Sequence, residues 1–96
     1  MNIHQLLEYD AWATKQLLDA IQVLSPQQFV HEFGGELSSV RQQMVHLLTV
    51  ADRYRVRLAG DEVPDIQPEE FATPQQLIAY ENRMRQKLND YAAELN

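Results

Sequence analysis

Hydrophobic residues recur at helical spacing along most of the chain, and the first such run begins at the N-terminus. Its apolar residues are separated by three or four positions, and no glycine or proline interrupts them. They are Ile3, Leu6, Leu7, Leu17, Leu18, Ile21 and Leu24. This spacing predicts an amphipathic helix over residues 3–24.

A second helix is predicted over residues 39–59. Ser39 is followed three positions later by Gln42, which is the spacing of a capping box. Gly60 stands where a helix often ends in a left-handed residue. The buried stripe that we predict for this helix consists of Val40, Met44, Leu47, Leu48, Ala51, Tyr54 and Leu58.

A third helix is predicted over residues 74–95, opened by Thr73 and Pro74, with Leu77, Met84, Leu88, Tyr91 and Leu95 on one face. Ser25 and Gln28 also have the spacing of a capping box, and Pro26 suits the first position of a helix, so a short helical turn is predicted after Pro26. No segment alternates apolar and polar residues over the length of a strand, so the predicted fold class is all-α.

The acidic connection between the second and third helices, residues 61–72, contains Pro64 and Pro68. A connection of this length can cross a bundle and leave the two helices that it joins parallel. Three amphipathic helices, each roughly 30 Å long, have more apolar surface than they can bury against one another. We therefore expect a partner, with a homodimer as the commonest form of closure.

Composition narrows the classes of function. With 45% hydrophobic and 23% charged residues among 96, the chain suits one small folded domain over residues 1–96. The net charge of −6 disfavours nucleic acid as a partner. The absence of cysteine excludes disulfides and thiolate metal sites, and it fits the cytoplasm. The sequence has neither a signal peptide nor an apolar run of about 20 residues, so we expect no membrane association.

Charged and aromatic residues of the predicted helices have simple structural interpretations. Arg53, Arg55 and Arg57 suit the C-terminal end of a helix, where cations offset its dipole. Glu8, Asp10 and Asp19 are interpreted as solvated charges on a helix face. Tyr9 and Trp12 are interpreted as packing residues.

His46 is the one histidine whose position suggests a metal ligand. It is expected on the flank of the second helix, about 120° from the centre of the buried stripe. A zinc or nickel site needs three or four converging ligands. His4 is expected about 20 Å from the level of His46 if the first two helices are antiparallel, and His31 falls in a connection. A single histidine in such a place is more often structural, and residue chemistry alone discloses no activity.

Short motifs distributed over nearly the whole chain resemble the DinB-like (damage-inducible) family. The segment 6–14 is similar to the family's Tyr-Asn-x-Trp-Ala-Asn pattern, with Asp10 and Thr14 in place of the two asparagines. The similarity continues in order through Gly35 and the segments 39–41, 44–48, 57–60 and 71–73.

The resemblance implies an up-down-down-up four-helix bundle, of which this chain holds three helices and lacks the fourth. It also implies a divalent-metal site of three histidines, with His46 as the ligand from the second helix and a His-x-x-x-His pair from the fourth. Family members include thiol-dependent S-transferases and maleylpyruvate isomerases, so a small-molecule or thiol substrate is expected.

Two interpretations of function remain open at this point. One is a metal-dependent transferase or hydrolase whose zinc or nickel site is incomplete in these 96 residues, so that metal binds weakly or not at all. The other is a non-catalytic helical dimerisation module. Whether the chain is an enzyme is therefore undecided.

Overall fold

The computed structural model describes residues 2–36, 38–58, 60, 62 and 64–94, with Leu58 described by its backbone alone. Its helices are α1 (Ile3–Ile21), α2 (Pro26–Val30), α3 (Val40–Leu58) and α4 (Pro74–Glu94). A 3₁₀ turn, Pro68–Glu70, lies in the connection between α3 and α4. No strand occurs in these residues, which confirms the all-α fold class.

The helices begin at side-chain caps. The Ser25 hydroxyl accepts a hydrogen bond from the Gln28 amide at 3.1 Å, and the Gln28 side chain accepts one from the Ser25 amide at 2.9 Å. This pair is the predicted capping box. Ser39 accepts from the amide of Gln42 at 3.0 Å at the start of α3. Such caps satisfy amides that have no partner within the helix.

Helix α1 ends at Ile21, three residues earlier than predicted. The cause lies in the next element, because Ser25 is extended (ψ 160°) to cap α2 and to precede Pro26. The turn over residues 22–24 provides the change of direction. Gly60 has a φ of 77°, as predicted for a left-handed residue after α3. The predicted helix ends at Ala59 and Leu95 lie outside the described residues.

The second and third long helices, α3 and α4, run parallel to each other, as predicted. Asp52 pairs with Tyr80 and Arg55 with Glu81, so sequence number rises together along α3 and α4 and the two helices are parallel. Helix α1 runs the opposite way, since Gln22 near its end meets Gln75 near the start of α4.

Two apolar clusters form the core. The larger contains Leu18, Ile21, Phe29, Met44, Val45, Leu48, Phe71, Leu77 and Tyr80. The smaller contains Leu7, Leu88 and Ala92 at the other end of the bundle. Thr14 on α1 and Glu81 on α4 are buried polar residues between the two clusters, and Asp52 and Arg55 are buried beyond Leu48 on α3. The candidate site is therefore a layer through the middle of the bundle.

The buried side of α3 differs from the predicted stripe. Met44 and Leu48 are buried as predicted, but Leu47 is 44% exposed and Tyr54 is 73% exposed. Val45 and Val56 are buried in their place. Helix α3 packs against α4 with the side that carries Val45, Leu48 and Asp52. Leu47 and Tyr54 lie on another side of α3 and therefore face solvent.

Candidate functional site

A buried set of charged and polar side chains joins the three long helices, and we call it the ionic layer. It consists of Asp10 and Thr14 from α1, Asp52 and Arg55 from α3, and Tyr80, Glu81 and Arg85 from α4. It lies between the two apolar clusters, and its side chains are buried except those of Asp10 and Arg85, which are 34% and 14% exposed. Buried charges of this kind are tolerated only when they are paired.

Arg55 is the centre of the ionic layer. Its Nε and Nη2 donate to the two carboxylate oxygens of Asp10 at 2.8 and 2.9 Å. Nη2 also donates to the Thr14 hydroxyl at 3.0 Å, and Nη1 donates to Glu81 at 2.9 Å. Burial opposes the charge of the guanidinium, but these carboxylates outweigh burial and raise the pKa of Arg55. The Arg55 guanidinium on α3 therefore binds residues of both α1 and α4.

Arg85 provides the second cation. It donates to Asp10 at 2.9 Å and to Glu81, four residues earlier on α4, at 3.1 Å. Burial alone would raise the pKa of Asp10, but the hydrogen bonds and charges of the two arginines lower it instead. Asp10 is thus held as a carboxylate, with its side chain 34% exposed.

Asp52 and Glu81 are less completely paired than Asp10. The Tyr80 hydroxyl donates to Asp52 Oδ2 at 2.6 Å, whereas Asp52 Oδ1 accepts no hydrogen bond and lies 3.6 Å from Arg55 Nη1. Glu81 Oε2 is also buried without a hydrogen-bond partner. Burial raises the pKa of both carboxyl groups, and burial beside Asp52 raises the pKa of Tyr80.

The ionic layer corrects one interpretation made from the sequence and extends another. Asp10 is not a solvated charge, because it pairs with Arg55 and Arg85. Arg55 lies in the last turn of α3, as predicted, but it is 8% exposed and pairs with carboxylates of α1 and α4. A local signal was available, because Thr14 lies seven residues after Leu7 and four before Leu18, on their side of α1. Polar residues on a buried face predict partners, although they do not identify them.

An open groove runs between α1 and α3. Leu6 and Leu7 line it from α1, Ala51 and Tyr54 line it from α3, and Asp10 and Arg55 form its polar base. Leu17 shares the exposed face of Leu6, and Leu47 shares that of Tyr54, so the apolar surface continues along both helices. Tyr9 and Trp12, interpreted from the sequence as packing residues, are 61% and 59% exposed.

His46 is exposed on α3, next to Leu47 and one turn before Val50. His4 lies near Leu7 and Ala92 at the opposite end of the bundle, as predicted, and the exposed His31 stacks edge-on against Phe33. Within the described residues, no three side chains of ligand type converge on a point that would hold a metal ion. The residues of this structure therefore do not fit a three-histidine centre by themselves.

The comparisons with known proteins concern the whole chain. The model of the DinB family matches residues 1–96. No curated protein and no solved structure gives a significant match. None of the helices in the described part is both long and apolar enough to span a membrane. The match covers every helix and the entire ionic layer, and the chain therefore belongs to the DinB family.

Proposed function

We propose that the groove between α1 and α3 receives a fourth amphipathic helix, and that the resulting four-helix unit is a divalent-metal-dependent transferase or hydrolase. In this unit His46 supplies one metal ligand and the added helix supplies the others. The metal would be zinc or nickel, and the substrate a thiol or another small molecule. The activity and its cytoplasmic location are predictions.

The observation that carries this proposal is the place of His46 beside an unfilled apolar surface. Leu47 and Tyr54 are 44% and 73% exposed on α3, and Leu6 is 52% exposed on α1. A helix seated against them would bury apolar area worth about 25 cal/mol per Å². The same helix would bring its own side chains to the level of His46.

The described residues have a positioning role in this proposal. Arg55 links α1 to α3 beneath the groove through Asp10, and Arg85 links Asp10 to α4. These bonds fix the spacing of the surfaces on which the fourth helix would pack. A bound metal ion would supply the activation of a thiol or water.

Metal titration by calorimetry tests the proposal. The 96-residue chain should bind zinc and nickel weakly, because one imidazole cannot provide a nearly closed coordination shell. A chain extended by an amphipathic helix with a His-x-x-x-His pair should bind one ion tightly. His46→Ala in the extended chain should abolish this binding.

His4→Ala is the matched control, since His4 lies at the other end of the bundle. It should leave the site of the extended chain intact. Tight stoichiometric binding by the short chain, or equal loss from both substitutions, would contradict the assignment of His46.

The alternative function is a non-catalytic dimerisation module in which a second copy covers the same groove. The exposed Leu6 and Tyr54 favour it as much as they favour a fourth helix. Sedimentation separates the two functions. A dimer that forms without metal and is unchanged by His46→Ala supports the module, whereas metal-dependent closure of the extended chain supports the enzyme.

A further inference from the structure

A second concave site borders α3 and shares only Arg55 with the groove. It is a cavity of about 210 Å³ between α3, α4 and the connection that follows α3. The polar part of its wall is formed by Asp52, Arg55, Glu62 and Lys87, and the apolar part by Val56, Pro64, Met84 and Leu88. The cavity is several times larger than the space that one water molecule occupies.

Asp52 gives this cavity an unused hydrogen-bond acceptor. The residue is 1% exposed, and Tyr80 occupies its Oδ2 atom at 2.6 Å. Its Oδ1 atom is buried without a hydrogen bond, and the nearby Arg55 Nη1 is too distant at 3.6 Å to donate one. A buried acceptor without a donor is costly, so a donor placed at Oδ1 would bind favourably.

The charges of the ionic layer determine which kind of donor fits. The layer has three carboxylates, on Asp10, Asp52 and Glu81, but only the two guanidinium groups of Arg55 and Arg85. With all five groups ionised, one negative charge is left without a cation. A ligand cation at Asp52 would balance it, whereas an anion would add to the excess.

We propose that this cavity binds a small aliphatic primary ammonium compound. The ammonium group donates to Asp52 Oδ1, and the carbon chain lies against Val56, Met84 and Leu88. Lys87 and Glu62 are exposed at the cavity with opposite charges, so they favour neither a second cation nor an anion at the other end of the ligand. Arg55 lines both this cavity and the groove, but Asp52 lines the cavity and not the groove, so ammonium binding needs no metal in the groove.

Titration of the 96-residue chain, followed by backbone amide NMR, tests the proposal at constant salt. The probes are n-butylammonium, 4-aminobutyrate, 1-butanol and butyrate. Saturable shifts near Asp52 and Met84 are expected with both ammonium compounds. The alcohol and the carboxylate should bind at least about tenfold more weakly, since they lack a charged donor.

Asp52→Asn should weaken ammonium binding at least about tenfold while it retains an acceptor for Tyr80. Asp19→Asn is the matched control, because Asp19 is an exposed partner of Lys15 on α1 and does not line the cavity. Equal affinity for 1-butanol and n-butylammonium, or unchanged binding by Asp52→Asn, would overturn the proposal.

Met84→Phe provides a second variant in case Asp52→Asn does not fold. It fills the cavity and leaves every carboxylate in place, so it should abolish binding of n-butylammonium. Retained binding would place the ligand elsewhere and overturn the assignment. If none of the probes causes saturable shifts in the unmodified chain, the cavity is hydrated only. That result would also overturn the proposal.

Discussion

Arg55 on α3 holds Asp10 on α1 through two parallel hydrogen bonds of 2.8 and 2.9 Å. The two residues are 45 positions apart in the chain, and they join the two helices that border the open groove. A forked guanidinium–carboxylate pair fixes orientation as well as distance. The width of the groove therefore depends on this pair.

Replacement of Arg55 by alanine should destabilise the fold strongly. It would remove one of the two guanidinium groups that Asp10 and Glu81 share in a largely buried layer, and breaking a buried pair of this kind costs about 3–5 kcal/mol. Arg53→Ala, at an exposed position on the same helix, should change the free energy of unfolding by less than about 0.5 kcal/mol. Urea unfolding measures both, and similar values for the two variants would contradict the central role of Arg55.

Asp52→Asn should change how stability depends on pH. Burial raises the pKa of Asp52 above its ordinary 3.8 in the folded chain, so the folded state binds the proton more tightly than the unfolded state. The stabilisation from this group is full below the unfolded pKa and is lost as pH rises through the folded pKa. Asparagine does not titrate and keeps an acceptor for Tyr80.

The stability of Asp52→Asn relative to the unmodified chain should therefore increase between about pH 4 and pH 7. Urea unfolding of both proteins across this range measures the difference. If the difference in the free energy of unfolding is constant, or decreases with pH, burial is not the dominant influence on the pKa of Asp52.

Leu47 and Leu48 form a matched pair that tests the orientation of α3. Leu48 is 1% exposed, and its truncation to alanine should cost about 2–5 kcal/mol through lost burial and the cavity left behind. Leu47 is 44% exposed, and the same truncation should cost much less. Thermal or urea unfolding distinguishes them, and equal costs would instead support a stripe that buries both residues.

The open groove should cause self-association of the 96-residue chain. We expect a dimer at concentrations on the order of tens of micromolar, because exposed apolar faces of this kind mark interfaces. Tyr54→Lys, within the groove, should shift the chain toward monomer in sedimentation experiments. Val23→Lys changes an exposed apolar residue outside the groove and should have no such effect. A compact monomer of the unmodified chain would refute the dimer.

The sequence by itself determined the elements of this fold. The capping pair of Ser25 and Gln28, the left-handed Gly60 and the long connection each act over a few neighbouring residues, and each appears in the structure as predicted. Helix periodicity is also local, because every turn repeats the same geometry. The all-α class follows from these local rules. The length of the connection permits parallel α3 and α4 but does not require them, and the family resemblance implied that order.

Only the tertiary structure decided which side of each helix is buried and which charges meet. Leu47 and Leu48 are equally apolar neighbours, and contact with α4 buries one and exposes the other. Asp10, Arg55 and Glu81 lie on three different helices, so no spacing along the chain reveals that they share one layer. Their positions depend on helix rotation about the bundle axis, which is set by the packing of all three helices together.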